Sequence, residues 1–366
     1  MKKQDMKRKI VIAAVALVMS HCSLLTAHAQ TETDKYIPGV TAEGAIYFLP
    51  KTAIRVAVKV EKTTYTPGDF APYAERYLRL SGVSMEPSTS YRVISVMQTA
   101  FGVRDAEKSF AVKLNKKTSA VNLAQTNDGV LLAVNAEPHP QEPFIPFQPV
   151  AKPAAVNPRQ FMNEEILAAG STAKMAQLTA QEIYDIRSSR SELVKGQADF
   201  MPKDGEQMKL MLSQMDQQDH ALTSLFAGVT TCDTTEQVFV ITPDTELQQQ
   251  LLFRFSRHFG LVDADDVSGT PYYINIRNLT QLPPTDEAAA KKMKKTATGL
   301  YYNVPGRLRA TIYRGNDEVT KEDFPAAQFG NVELLSGELF NKHFGTRLWL
   351  NPLTGDIEKL EAEQPK

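Results

Sequence analysis

The sequence predicts an α+β protein, with two mainly antiparallel β domains, sandwich- or barrel-like, and an inserted αα-hairpin. Three observations predict it. Apolar and polar residues alternate at period two in both the first and the last third of the chain. Between these thirds lies a stretch whose apolar residues recur at helical spacing. A proline-rich segment separates the first strands from the helices. The implied order is a leader at 1–29, an N-terminal β domain at 30–136, a linker or strap at 137–158, a helical hairpin at 159–228 and a C-terminal β domain at 229–366.

Lys2, Lys3, Lys7, Arg8 and Lys9 precede the apolar run Ile10 to Met19, and Ala27-His28-Ala29 supplies the small residues that a signal peptidase needs before Gln30. A membrane anchor is the competing reading, but Ser20, His21, Cys22 and Ser23 break the run short of the roughly 18 residues a spanning helix needs. Lipidation at Cys22 is disfavoured by the bulky His21 before it. The expectation is therefore an exported chain, periplasmic or associated with the outer envelope, with no transmembrane segment after cleavage. Such cleavage removes more basic than acidic residues and leaves the chain more acidic than its formal −1. That balance gives no electrostatic footprint for nucleic acid. Of the two cysteines, Cys232 alone survives processing, so no internal disulfide is expected, and the residue reads as a small hydrophobe or a loop thiol.

In the first β segment Ile54, Val56, Val58 and Val60 alternate with Arg55, Ala57, Lys59 and Glu61, the pattern of a strand with one wet face. Further strands are expected at 91–97, 110–114, 120–124 and 130–134, the last two joined by the turn Asp128-Gly129, with one short helix near 72–80. Seven of the chain's 21 prolines then fall at 138, 140, 143, 146, 149, 153 and 158, which stiffens this stretch and denies it ladder hydrogen bonds. A helix from about Ser171 to Val194 and a second one starting at Asp204, with Gln207 three residues on, form the hairpin. Met208, Met211, Leu212, Met215, Leu222 and Phe226 form its stripe, and Gly228 stops it. Strands follow at 238–242, 251–256, 272–277, 300–304, 308–314, 318–324, 332–335, 347–350 and 357–360.

The segments Tyr47-Phe48-Leu49-Pro50-Lys51-Thr52-Ala53, Tyr73-Ala74-Glu75-Arg76-Tyr77-Leu78, Ala168-Ala169-Gly170-Ser171 through Met201-Pro202-Lys203-Asp204-Gly205, and Ala327-Gln328-Phe329-Gly330 resemble domain-of-unknown-function family 4831. The resemblance spans nearly the whole chain after the leader. It implies an exported protein of the Bacteroidota type with an envelope home, and it carries over no catalytic residue.

No nucleophile elbow, zinc-binding His-Glu-x-x-His, phosphate loop or Cys-x-x-Cys pair is present, and no catalytic residue or cofactor is assigned. Tyr272-Tyr273 and Tyr301-Tyr302 put one ring on each strand face. They are either sheet packing or a surface for a sugar or a partner's apolar anchor. Asp263, Asp265 and Asp266 fit an acidic turn, or a calcium site without the spacing of an EF-hand. Met208, Met211 and Met215 fit core packing, an adaptable docking face, or soft ligands for cuprous ion. Lys291, Lys292, Lys294 and Lys295 fit a solvated run or a contact with anionic glycolipid. Asp233-Thr234-Thr235 resembles an acceptor for O-linked glycan at Thr234, placed by the reading in a loop. The function implied is non-catalytic binding or scaffolding, with an envelope protein or glycan as partner. The alternative is a hydrolase of glycan or peptide working through dispersed carboxylates.

Overall fold

Two long hairpins set the architecture. The computed structural model describes residues 32–36, 45–113, 122–152, 156–202, 204–281, 299–340 and 345–363; the leader, Cys22 and the lysine run 291–295 lie outside them. Strands β2 (Ala45–Thr66) and β3 (Ser88–Lys113) pair antiparallel along nearly their whole length, as do β10 (Gly299–Arg314) and β11 (Asp317–Ser336). The sequence suggested a pair of short strands in place of each of β3, β10 and β11. They are continuous because a bulge bends the chain without ending the ladder. Register shifts fall at Phe48/Pro50 in β2 and at Val304/Gly306, around Pro305, in β10.

The first sheet has the order β1-β3-β2-β6, with β1 at Glu32–Lys35 and β6 at Val229–Ile241. The second has the order β11-β10-β9-β7-β8, with β7 at Leu247–Ser256, β8 at Gly260–Val262 and β9 at Thr270–Asn278. The third has the order β13-β12-β5-β4, with β4 at Leu123–Gln125, β5 at Leu131–Val134, β12 at Gly345–Leu350 and β13 at Ile357–Glu363. The fold is α+β and sandwich-like, mainly antiparallel, with no closed barrel. The sheets do not follow the segments suggested by the sequence. β6, beyond the hairpin, pairs with the later part of β2 from Ile54↔Ile241 to Thr66↔Val229, and β12 pairs with β5. Backbone pairing across the chain supplies what local patterning cannot announce.

Alternation decides the main core. Ile54, Val56, Val58 and Val60 face Ile274, Ile276, Leu308, Ala310 and Ile312 of the second sheet, all buried. Past the bends the same long strands serve another core, where Tyr47, Leu49, Phe110 and Leu300 pack on Leu131, Leu348 and Phe340. Buried Tyr47 spans this core; its hydroxyl accepts from the Tyr301 N–H (2.9 Å) and donates to the Tyr301 carbonyl (3.2 Å). Burial pushes its phenol well above the usual tyrosine range.

The bend itself is polar. Asn303, fully buried, donates through Nδ2 to the carbonyls of Pro50 (2.9 Å) and Thr354 (2.7 Å), and its Oδ1 accepts from Lys108 Nζ (3.2 Å). Lys108 also donates to the Ala327 carbonyl, and burial holds its ammonium below the usual lysine range against the opposing charge of Asp105. Thr52 and Gln328 close the joint, with Thr52 N–H donating to Gln328 Oε1 (2.9 Å) and Gln328 Nε2 donating to the Thr52 carbonyl (2.8 Å). Gly102 lets the β12–β13 turn approach, since a Cβ there would lie 2.1 Å from the Pro352 carbonyl oxygen.

Among the described residues four α-helices complete the fold: α1 (Ala74–Leu78), α2 (Glu164–Leu167), α3 (Thr172–Lys195) and α4 (Gly205–Ala227). Ser171 and Asp204 cap the N-termini of α3 and α4 through the amides of Lys174 and Gln207, and Gly196 and Gly228 end these helices at positive φ. Their shared core is Ala176, Ala180, Ile183, Leu222 and Phe226, with Phe70 and Ile166.

The proline-rich strap lies on the outer side of the first sheet. Gln141 Oε1 accepts from Gly102 N–H, the Phe144 ring covers the Arg55 guanidinium at 4.2 Å, the Phe147 ring covers Lys59 Nζ at 4.6 Å, and Lys152 bonds the Cys232 carbonyl and Asp233. From Thr52, opposite Gly102, to Lys62, opposite Asp233, β2 covers roughly 33 Å. The strap from Gln141 to Lys152 reaches about 34 Å if drawn out as polyproline II, so it is stretched almost straight along β2.

Two outcomes follow from this packing. Asn303→Leu leaves two carbonyls and a lysine without their partner and lowers the unfolding free energy by about 3 kcal/mol in chemical denaturation; an unchanged value would remove the joint as a source of stability. Replacing Phe144 and Phe147 by Ala removes two cation–π contacts and speeds limited proteolysis between 137 and 152 by about tenfold. No acceleration would leave the polar anchors as the strap's whole attachment.

Candidate functional site

Where β3 leaves the cover of β1, its outer edge is open. β1 pairs only with residues 110–113. On the same side, the Tyr91 N–H is taken by the Arg257 carbonyl (2.8 Å) and the Gly102 N–H by Gln141. Between these points the ladder to β2 shifts at Ile94, where Lys59 faces Ser95 and Val60 faces Val93. N–H and C=O groups alternate sides along a strand, and one extra residue flips the parity. Val93 before the bulge and Val96 after it therefore both direct their backbone groups away from β2. Among the described residues neither has a backbone partner on that side.

This open edge forms one wall of a cleft of about 800 Å³. The other wall is the end of the second sheet, with Phe255 and Arg257 from the end of β7, Thr270 and Tyr272 from the start of β9, Arg314 closing β10, and Asp317 to Val319 opening β11. Alternation explains the floor. Val93 and Val96 point to the main core, and Tyr272 stacks on Phe253 at 4.4 Å, which stacks on Phe239 at 5.4 Å. The floor is apolar, and its rim is charged.

The rim charges are mostly spoken for. Arg92 Nε reaches Glu61 Oε1 at 2.7 Å, and Arg314 Nη2 reaches Asp317 Oδ2 at 3.2 Å. Glu318 lies 3.8 Å from Lys321. Arg314 is raised above its usual value by Asp317 first and then by the Tyr272 hydroxyl. Arg257 is exposed and, among the described residues, is the cleft arginine without an ion pair.

Of the residues nominated from sequence, Tyr272 alone lines this cleft. Tyr273 sits on the opposite strand face beside Tyr313, in a shallow hollow of about 370 Å³. Tyr301 stacks on Phe110 at 4.5 Å, and the Tyr302 hydroxyl donates to Glu333 at 3.1 Å, its phenol pushed up by burial and by that carboxylate. Asp263, Asp265 and Asp266 lie in a loop whose own bonds use the Asp263 carbonyl and Asp266. The Ser268 hydroxyl first, and then its N–H, which Asp266 Oδ1 accepts (2.8 Å), hold the Asp266 carboxyl down, and Arg254 ties the loop through the carbonyls of Ala264 and Gly269. Among the described residues no three His, Cys, Asp or Glu side chains gather to hold a metal. Thr234 lies in β6, opposite Glu61, and not in the expected loop; β6 begins at Val229, directly after Gly228. Cys232 is exposed on the same strand, 3.8 Å from Thr63 Oγ1.

The methionine stripe splits. Met215 packs on the helical core, whereas Met208 and Met211 lie half-buried beyond it. The docked end of α4 is Ala221, Leu222, Leu225 and Phe226. Arg257, Arg314 and the β3 edge were not singled out from sequence. The available signal was the lapse of alternation at Val93-Ile94-Ser95-Val96, where two apolar residues stand side by side.

The carboxylates whose titration is displaced, Asp233, Asp266, Asp323 and Glu361, are all held low by hydrogen-bonded partners. No described helix is long and apolar enough to cross a membrane. A family model described as Domain of unknown function (DUF4831) matches residues 43–358. No curated protein and no solved structure matches the chain.

The split stripe has a measurable consequence. Leu222→Asp buries a charge and costs several kcal/mol, roughly 4 or more, whereas Met211→Asp costs about 1 kcal/mol because water reaches the site. Thermal unfolding separates them, and equal losses would place Met211 in the core after all.

Proposed function

The chain belongs to the family described as Domain of unknown function (DUF4831), and from that premise, which assigns no activity, we propose that it is a non-catalytic binding protein of the cell envelope. Its ligand is an extended polypeptide segment that adds as a strand to the open edge of β3. The observation that carries this is the unpaired backbone of Val93 and Val96 inside a cleft with an apolar floor. Unpaired N–H and C=O groups give affinity to any extended chain, and alternate side chains fall on the floor. A glycan offers no matching backbone ladder, so the polypeptide is favoured over the sugar as partner. Export and an envelope location rest on the leader's three-part pattern, and binding at the cell surface or in the periplasm is proposed on that ground.

The hydrolase alternative needs a carboxylic acid held protonated near a second carboxylate. In the cleft, Asp317 and Glu318 each face a cation. That arrangement supports binding.

Lysine on an edge strand blocks strand addition at little cost to the fold. Ile94 is the bulge residue and is 42% exposed. A random peptide display library panned on the wild type is expected to enrich extended, β-branched sequences. The same peptides lose about tenfold or more in affinity for Ile94→Lys, with an unchanged melting temperature. Equal capture by both proteins would sink the edge as the binding site.

A further inference from the structure

Resting on that reading, we infer that the segment bound at β3 is the carboxy-terminal tail of another polypeptide, with its terminal carboxylate held by Arg257. The direction of the edge leads to this. The ladders that build the three sheets are antiparallel throughout, and a strand added to β3 in that sense runs from the Gln98 end toward Tyr91.

At Tyr91 the edge is closed, because the Arg257 carbonyl already accepts the Tyr91 N–H at 2.8 Å. The incoming chain must stop there, and it stops with its C-terminus. At the other end the lining of the cleft stops at Val96, and the partner's preceding chain leaves there. The space between admits about four or five residues at 3.3 Å each. A tail of that length fits, with its preceding chain leaving past Val96, whereas an internal segment would also need an exit at Tyr91, where the edge is blocked.

Charge agrees with direction. The residue that blocks the edge is the same Arg257 whose guanidinium has no ion pair among the described residues, while Arg92 and Arg314 are paired. A guanidinium offers a carboxylate two parallel hydrogen bonds. The floor of Val93, Val96, Phe255 and Tyr272 takes the tail's alternate apolar side chains.

The test uses the full chain after its leader and an array of random octapeptides in three forms: free carboxyl terminus, amidated terminus, and amidated with an internal Glu. The wild type is expected to bind members of the first set, with amidation weakening them about tenfold or more. Arg257→Gln should lose that preference while keeping its melting temperature, and Arg257→Lys should restore part of it. Equal binding of free and amidated forms would overturn the carboxylate inference and leave strand addition standing. Recovery of binding by the internal Glu would assign Arg257 to an acidic side chain and also overturn it. No binding from any set would overturn the strand-addition reading itself.

Discussion

The joint around Asn303 is the constraint on which the rest depends. A straight strand the length of β2 would reach about 70 Å, so the long hairpins must bend, and both bend where Pro50 and Pro305 interrupt the ladder. Bending leaves carbonyls without ladder partners, and a buried carbonyl must find a donor. Asn303 supplies it for Pro50 and Thr354, and Lys108 supplies it for Ala327. One amide side chain thus links β2, β10 and the β12–β13 turn, and with them all three sheets. Gly355 belongs to the same device. Its φ of +75° suits the turn, and a Cβ there would meet the Pro50 ring at 2.6 Å.

This joint determines which edges are covered. Beyond the bend, β3 is flanked by β1 and the sheets gather around Tyr47 and Phe110. Before it, β3 keeps β2 on one side and, among the described residues, has no strand on the other where it passes the end of the second sheet. The strap covers the outer side along β2 and β6, where Phe144 and Phe147 cap Arg55 and Lys59 and the Phe147 N–H donates to Glu236. Prolines suit that position, since a strap lying on a sheet face has no ladder to donate to. The β3 edge from Val93 to Val96 is left without either cover.

Much of this was legible in the sequence, and the limits are physical. The alternation from Ile54 to Val60 put the right residues in the core because a half-buried strand must alternate. The cap at Asp204 and the stop at Gly228 were readable because they are local chemistry. Partnering was not readable. Nothing local in Val229 to Ile241 says that this stretch pairs with β2 on the far side of a helical hairpin, and Thr234 was assigned to a loop for that reason. The segments around Pro50 and Gln328 carry the family resemblance without announcing the joint, and only the folded chain brings them together, where Thr52 and Gln328 bond each other. The cleft escaped for a related reason: Arg257 and Val93 are distant in sequence and acquire a shared role only when the end of one sheet meets the edge of another.

An open edge usually threatens aggregation, and proteins blunt it with charge, proline or a bulge. Here the bulge is present, but it carries Ile94, and lysine is absent from the stretch between Tyr91 and Ala100. Protection comes from geometry instead. The ends of β7, β9 and β10 stand across the edge, and the Arg257 carbonyl closes it at Tyr91. A second sheet cannot reach such an edge, because its own neighbouring strands would collide with those ends, whereas a single narrow chain can. The bulge sharpens the distinction: by turning both Val93 and Val96 to the core, it directs two sets of backbone groups outward within four residues. An edge too confined for sheet-to-sheet association and still unpaired is selective for one short strand, and that selectivity connects the bend at Pro50 with the binding role proposed for the cleft.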